Sequence, residues 1–213
     1  MIYKVYLIDS NNGISILESS FKEFNDKKVS DELFPGFFTA INRTIDIVQN
    51  AMATGRKVEE IIRVLEAEDS TTVIFFHPES KVLFCSISDA DDDTYRIKEA
   101  MRKIANRFWK KHQSDLRIFR STTDKSKFQS IIVDIQNLTM GGKIAEIFPK
   151  LLVVNTVLDK IVSMGLIDNF DYKIALKCDG NNSPLKISKE FSMDRLEIRE
   201  ALKKLENLDI IKT

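Results

Sequence analysis

Cysteine and histidine are scarce in this 213-residue chain, which contains two of each. Cys85 and Cys178 are far apart and neither belongs to a CxxC pair, so the sequence offers neither a zinc site nor a disulfide framework. Separated thiols fit a reducing compartment, and we therefore expect a cytoplasmic protein. His77 stands beside a proline in a predicted turn, without the ligand partners that a metal would need.

The motifs of common catalytic sites are also missing. The sequence has no GxxxxGK[ST] phosphate loop, no GxGxxG loop, no HExxH metal motif and no GxSxG nucleophile turn. Acid–base catalysis by histidine would have to use His77 or His112, and nothing in the sequence supports either residue. The run Asp91–Asp93 has the wrong spacing for an EF-hand calcium loop, and it favours helix capping instead. We therefore expect no enzymatic activity, no cofactor and no metal site.

No apolar run is long enough to cross a bilayer. The nearest candidate, Ile144–Ile167, is interrupted by charged residues and a proline, whereas a spanning helix needs about 20 apolar residues. The first residues, MIYKVYLIDS, lack the basic and apolar segments of a signal peptide. The formal net charge is zero, so the chain as a whole has no general attraction to nucleic acid or anionic lipid.

The charges are nevertheless unevenly distributed along the chain. Val58–Tyr95 contains ten acidic and two basic residues, and Arg96–Lys127 contains eleven basic and three acidic residues. This pattern favours two differently charged surfaces on one domain. A second interpretation is that the basic segment contacts an anionic membrane, because clustered bases are attracted to such lipids.

The first half of the chain alternates between strand and helix patterns. Tyr3–Asp9 and Ile14–Ser19 are apolar runs joined by an Asn/Gly turn, which predicts a β-hairpin. A helix follows, with Asp31 as a candidate cap, Pro35 in its first turn and Gly55 as its stop. Apolar residues at a spacing of three and four predict its buried stripe: Phe34, Phe37, Phe38, Ile41, Ile45 and Val48.

Three further strands and two helices are predicted up to residue 138. The strand patterns are Val58–Leu65, Thr71–Phe76 and Lys81–Ile87. The aspartates at 91–93 open the next helix, whose apolar stripe contains Ile97, Met101, Ile104, Ala105 and Phe108. Leu116–Arg120 is predicted as a short extended piece, and Phe128, Ile131, Ile132 and Ile135 indicate a third helix.

The remainder of the chain is mainly helical. Gly141 and Gly142 are the predicted hinge. The predicted elements that follow are helices at about Lys143–Met164, Asp168–Cys178, Pro184–Phe191 and Arg195–Asn207, and a final strand at Asp209–Lys212. We therefore predict three parts: a domain at 1–140, a linking helix at 141–167 and a small helical domain at 168–213.

The element order over residues 1–138 resembles that of a longin domain. The local similarity lies in Leu33–Val48, with Gly36 in an aromatic helix start, and in the acid-capped helix that runs into Phe108 and Trp109. The resemblance implies an α+β fold: a five-stranded antiparallel sheet with the first helix on one face and the later helices on the other face or flanking it. It also implies an adaptor that binds a small GTPase, similar to archaeal relatives of eukaryotic trafficking proteins.

Residues 168–213 resemble a winged-helix domain. The similarity rests on the Asp179-Gly180-Asn181 turn between helical segments and on a set of apolar positions: Tyr172, Ile174, Leu176, Ile187, Phe191, Leu196, Ile198, Leu202, Leu205, Ile210 and Ile211. The sequence ends where a first wing strand would end, so a full wing hairpin is not expected. Leu166–Thr213 carries nine basic and nine acidic residues, which disfavours nucleic acid as a partner.

The leading functional hypothesis is a non-catalytic adaptor or regulator for a protein partner, a small GTPase or a trafficking-type complex. A homodimer through the same surface is the competing arrangement. A DNA-binding regulator that uses the helix-turn-helix is the alternative from another class. The candidate partner-binding residues are basic residues on two predicted helices: Lys98, Arg102, Arg195, Arg199 and Lys203.

Overall fold

The structure is a computed structural model that describes residues 1–22, 33–52, 61–67 and 69–213. The chain forms two compact units, Met1–Ala145 and Glu146–Thr213. Among the features predicted from sequence, Asp31, Gly55 and Val58 lie outside the described residues, as do the side chains of Ile45 and Val48.

The first unit is built on a five-stranded antiparallel sheet, which confirms the predicted α+β class. Its strands are β1 (Ile2–Asp9), β2 (Ser15–Ser20), β3 (Ile61–Glu66), β4 (Ser70–His77) and β5 (Val82–Asp89). The spatial order is β2-β1-β5-β4-β3, so β5 is central and β1 and β4 flank it. Every residue of β5 is buried, as expected for a strand covered on both faces.

The helices cover both faces of this sheet. They are α1 (Leu33–Met52), α2 (Thr94–Thr122) and α3 (Ile131–Leu138), with a 3₁₀ turn at Ser126–Phe128. Side chains alternate along β1, so Tyr6 and Ile8 pack with Phe38 of α1, whereas Val5 and Leu7 pack with α2 and α3. The predicted placement of α1 opposite the two later helices is therefore observed.

One residue of the predicted α1 stripe faces away from the sheet. Phe38 is 1 % exposed and its ring lies 5.8 Å from that of Tyr6, but Phe37 is 51 % exposed. Including Phe37 in the buried stripe was wrong, because consecutive helical residues point about 100° apart and Phe38 already occupies the sheet-facing direction.

Helix α2 begins where the sequence predicted and ends later than predicted. Asp93 caps it by accepting from the backbone N–H groups of Tyr95 and Arg96, at 2.9 and 3.2 Å. The extended piece predicted at Leu116–Arg120 is wrong, because these residues are helical. Burial continues at the same spacing through Leu116 and Phe119, although His112 departs from helical geometry with φ −122° and ψ 18°.

The predicted Gly141–Gly142 hinge is a turn that belongs to the first unit. The Gly142 carbonyl accepts from the N–H of Ile2 at 2.7 Å. A Cβ on Gly142 would lie 2.8 Å from the Ile2 carbonyl oxygen, and its φ is +88°. Only glycine combines this backbone conformation with so close an approach of the strand.

The second unit contains four helices and a small sheet. The elements are α4 (Asn155–Ser163), α5 (Asn169–Lys177), α6 (Pro184–Phe191), α7 (Arg195–Asn207), β6 (Lys150–Leu151) and β7 (Ile211–Lys212). Their core consists of buried apolar side chains, among them Leu158, Ile174, Ile187, Ile198, Leu202 and Leu205.

The single helix predicted at Lys143–Met164 is wrong, because the chain around Pro149 is extended. The N–H of Leu151 donates to the Cys178 carbonyl at 2.6 Å, and the N–H of Leu152 donates to the Ile210 carbonyl at 2.9 Å. The N–H groups of Leu151 and Leu152 therefore donate to opposite sides of the chain. β6 has β7 on one side and the backbone bridge to Asp179 on the other.

An ion pair between a buried carboxylate and an exposed arginine fastens α2 to the sheet. Asp9, at the end of β1, has no exposed surface and accepts from Nη2 of Arg120 at 2.8 Å. The same Arg120 nitrogen donates to the carbonyl of Ser80, in the turn between β4 and β5, at 2.6 Å. One guanidinium therefore joins the last turn of α2 to three strands.

We expect Phe38→Ala to lower the free energy of unfolding by about 3–5 kcal/mol, because truncation leaves a cavity between α1 and the sheet. Phe37→Ala on the same helix is the matched control, and it should cost little because that ring is half exposed. Denaturant titration followed by circular dichroism measures both variants. Equal losses for the two would contradict the layer arrangement.

We expect Arg120→Met to lower the free energy of unfolding by about 3 kcal/mol, because it leaves the Asp9 carboxylate buried without its cation. Arg117→Met is the control, since Arg117 is exposed on the same helix. The double variant Asp9→Asn/Arg120→Met should recover part of the loss. If the free-energy losses of the two single variants add up to the loss of the double variant, the two side chains do not interact.

Candidate functional site

The outward side of α2 carries a row of bases at seven-residue spacing. Arg96, Lys103, Lys110 and Arg117 are all exposed, and we call these four residues the basic stripe. Seven residues are almost two helical turns, so Arg96, Lys103 and Lys110 follow one side of the helix over roughly 21 Å. Arg117 continues the row beyond His112, where the backbone departs from helical geometry. The stripe is fixed outward because the opposite side of α2 is buried at Ile97, Met101, Ile104, Phe108 and Leu116.

Acidic side chains neutralise some bases of α2 but not all. The Arg96 side chain lies 3.2 Å from Asp93, and Arg107 and Lys111 lie 2.7 and 2.5 Å from Asp134. Within the described residues, no acidic side chain pairs with Lys103, Lys110 or Arg117. These three bases therefore present uncompensated positive charge to solvent.

The Asp134 carboxyl is held ionised by its two cations. Burial favours its neutral form, but hydrogen bonds and charge from Lys111 and Arg107 outweigh burial and hold the pKa of Asp134 below its usual range. Arg107 and Lys111 are therefore bonded to α3, and both are less available to a partner than the unpaired residues of the basic stripe.

Lys98 and Arg102, the two candidate partner-binding residues on α2, lie beside the basic stripe. Lys98 and Arg102 are both half-buried, and Arg102 forms an ion pair with Glu99. Lys103, Lys110 and Arg117 lie in the basic segment Arg96–Lys127 identified from the sequence, but they were not chosen as candidate partner-binding residues. Their seven-residue spacing was the available signal, because it predicts one exposed row once the buried stripe of the helix is known.

The three α7 residues chosen from the sequence follow one another at intervals of four and share one side of the helix. Arg195 is half-buried, Arg199 and Lys203 are exposed, and both arginines already take part in other interactions. The neighbouring Lys204 bonds to buried Asp171, and this bond raises the pKa of Lys204. Positive charge on α7 is therefore partly committed within the chain.

An acidic groove lies next to these bases on the second unit. It has a volume of about 340 Å³ and is lined by Phe170, Asp171, Met193, Glu197, Glu200, Ala201 and Lys204. Glu197 and Glu200 are exposed on α7 itself. The outer surface of α7 thus presents both signs of charge, which is unfavourable next to a phosphate backbone.

A second groove follows the free edge of the sheet in the first unit. It has a volume of about 330 Å³ and is lined by Ser15, Ile16, Leu17, Glu18, Pro35, Lys125 and Gln129. β2 is an outermost strand, with no strand beyond it among the described residues. The groove therefore combines a strand edge that no other described strand pairs with and a lining of apolar and charged side chains, and Lys125 and Gln129 at its margin are exposed.

Both histidines serve the packing of α2 against its surroundings. Nδ1 of buried His77 accepts from the Ser80 N–H at 3.2 Å. Buried His112 contacts Asp115 at 2.8 Å and Ser130 at 3.2 Å through its two ring nitrogens. In the described parts of the chain, no group of three or more His, Cys, Asp or Glu side chains is arranged to hold a metal.

The two thiols are held in their neutral form by their surroundings. Burial raises the pKa of Cys85 well above its ordinary value, and it raises the pKa of Cys178 to about 12. Because the thiolate is the nucleophilic form, neither cysteine is an activated nucleophile.

Comparisons with protein-family models and with curated proteins found no match. Across the described residues, no helix combines the length and the apolar character needed to cross a bilayer.

We expect the full chain to show no salt-sensitive DNA binding that depends on α7. The reason is that the acids Glu197 and Glu200 offset its bases, and phosphate neutralisation supplies most non-specific affinity. Fluorescence anisotropy with a labelled random duplex at low salt measures this. Micromolar binding that weakens steeply with salt and disappears in Arg199→Glu would contradict it.

Proposed function

We propose that this protein is a non-catalytic adaptor or regulator that binds a protein partner through its first unit. The strand order, with one helix on one face and two on the other, supports a longin-like identity for this unit. The partner class that this resemblance implies is a small GTPase or a trafficking-type complex in the cytoplasm. The protein contributes a binding surface, and the partner contributes any chemistry.

The observation that carries this proposal is the groove along β2. An outermost strand offers backbone N–H and C=O groups on its free side, and a partner segment in extended conformation can pair with them. Ile16 and Leu17 give the groove an apolar floor, and Lys125 and Gln129 give it a polar margin. A polar margin around an apolar centre is the usual composition of a protein interface.

The second unit supports a role in contact or packing more than in DNA binding. Its three helices α5, α6 and α7, with β6 and β7, support a winged-helix-like identity. Its charge is balanced, however, and the bases of α7 share their surface with Glu197 and Glu200. A balanced surface of this kind suits an irregular protein surface better than a uniform phosphate backbone.

The proposal predicts that filling the groove weakens partner binding. Purified small GTPases, loaded with GDP or a non-hydrolysable GTP analogue, are titrated into the full chain by calorimetry. We expect binding in one nucleotide state, and we expect Gln129→Trp to weaken it about tenfold or more, because the indole occupies space that the partner needs.

Gln136→Trp provides the matched control, because Gln136 is exposed on α3 and does not line the groove. Sedimentation of the full chain tests the competing homodimer. A monomer that binds no GTPase in either nucleotide state would refute the proposed partner class. Equal losses of affinity for Gln129→Trp and Gln136→Trp would indicate that the partner does not bind in the groove.

A further inference from the structure

The basic stripe of α2 is a surface that partner binding at the β2 groove does not use. Its three unpaired bases, Lys103, Lys110 and Arg117, are separated by intervals of seven residues. We propose that the stripe docks the protein onto an anionic phospholipid bilayer. This is an additional binding function, and it is independent of the GTPase proposal.

The shape of the stripe suits a plane more than a pocket. α2 runs for 29 residues, and its buried side is fixed against the sheet and α3. The opposite side therefore projects as a ridge, with positive charge along roughly 21 Å from Arg96 to Lys110 and again at Arg117, beyond the kink at His112. The mobile headgroups of a fluid bilayer can gather at the bases on both sides of the kink.

The residues between the bases distinguish a bilayer from a protein partner. Asn106, Gln113 and Ser114 lie among the stripe residues and are all exposed. Protein interfaces concentrate their affinity in a desolvated centre of aromatic and apolar side chains, and these polar residues do not provide one. An anionic bilayer needs no such centre, because mobile headgroups can gather at each separate base.

An exposed apolar side chain stands at each end of the stripe. Tyr95, next to Arg96, is 72 % exposed, and Ile118, next to Arg117, is 53 % exposed. A tyrosine beside a base is well placed for the headgroup region, where its ring and its hydroxyl both find favourable surroundings. Because consecutive helical residues point about 100° apart, these two side chains flank the stripe, and the bases supply the main attraction to the bilayer.

Acidic side chains near the helix do not cancel the stripe. Asp93 lies against Arg96, Glu99 pairs with Arg102, and Asp134 is shared by two bases outside the stripe. The remaining acid on α2, Asp115, contacts the buried His112. Positive charge at Lys103, Lys110 and Arg117 consequently remains available at the surface.

Vesicle flotation of the full chain tests the proposal. Phosphatidylcholine vesicles doped with phosphatidylserine are compared with pure phosphatidylcholine vesicles at low and high salt. We expect binding to the doped vesicles only, and we expect salt to weaken it. The triple variant Lys103→Glu/Lys110→Glu/Arg117→Glu should reduce vesicle affinity by about a hundred-fold.

The matched control makes the same change of charge at other positions of the chain. Lys173→Glu/Lys186→Glu/Lys189→Glu makes the same change in net charge at exposed positions of the second unit, and it should retain binding. Lys103→Arg/Lys110→Arg should also retain it, because the charge is conserved. Circular dichroism verifies that each variant is folded.

Four results would overturn the proposal. The first is no binding to doped vesicles at low salt. The second is undiminished binding by the triple variant when folded. The third is an equal loss in the control, which would indicate net charge alone. The fourth is tighter, stripe-dependent binding to a DNA duplex than to vesicles, which would assign the stripe to nucleic acid.

Discussion

The contact between Arg120 and Asp9 ties the end of α2 to the sheet of the first unit. Asp9 is completely buried at the end of β1, and a carboxylate in that position is tolerated only with a cation beside it. Arg120 supplies the cation and also bonds the Ser80 carbonyl, so the end of α2 is tied to β1 and to the turn between β4 and β5. The side of α2 that faces the sheet is set by its buried apolar residues, among them Ile97, Met101 and Phe108. The bases on the opposite side of the helix therefore face solvent.

The pairing of charges explains how a chain of zero net charge produces a strongly basic surface. Several acids that contact α2 are used by local structure, since Asp93 caps the helix, Asp9 pairs with Arg120, and Asp134 pairs with Arg107 and Lys111. Acids used in this way lie at helix ends or in the interior, where they satisfy backbone and buried groups. The bases that remain are those on the solvent side of α2. Net charge is therefore a poor guide to the surface, and the location of each acid decides the local field.

The sequence predicted most elements whose signal is local. The strands of the sheet, α1, and the bounds of α6 and α7 follow from periodicity and capping residues such as Asp93 and Asp194. The error at β6 occurred where contacts between residues distant in the sequence determine the structure. β6 has two residues, and its partners at Ile211 and Asp179 lie far along the chain, so no local pattern marks it. The bases of α2 were predictable as a group, but the unpaired ones could be identified only after Asp134 and Glu99 were placed.

The small sheet of the second unit joins the two ends of that unit. β6, near its start, pairs with β7, near its end, in antiparallel register. Residues on both sides of Pro149 thereby become part of this unit's structure, with the Pro149 carbonyl accepting from Gly180 at 3.0 Å. A strand taken from upstream satisfies the backbone groups of β7 and of Cys178, which would otherwise face solvent or another chain. β6 and the residues around Pro149 therefore belong to the fold of the second unit, although β6 is far along the chain from β7.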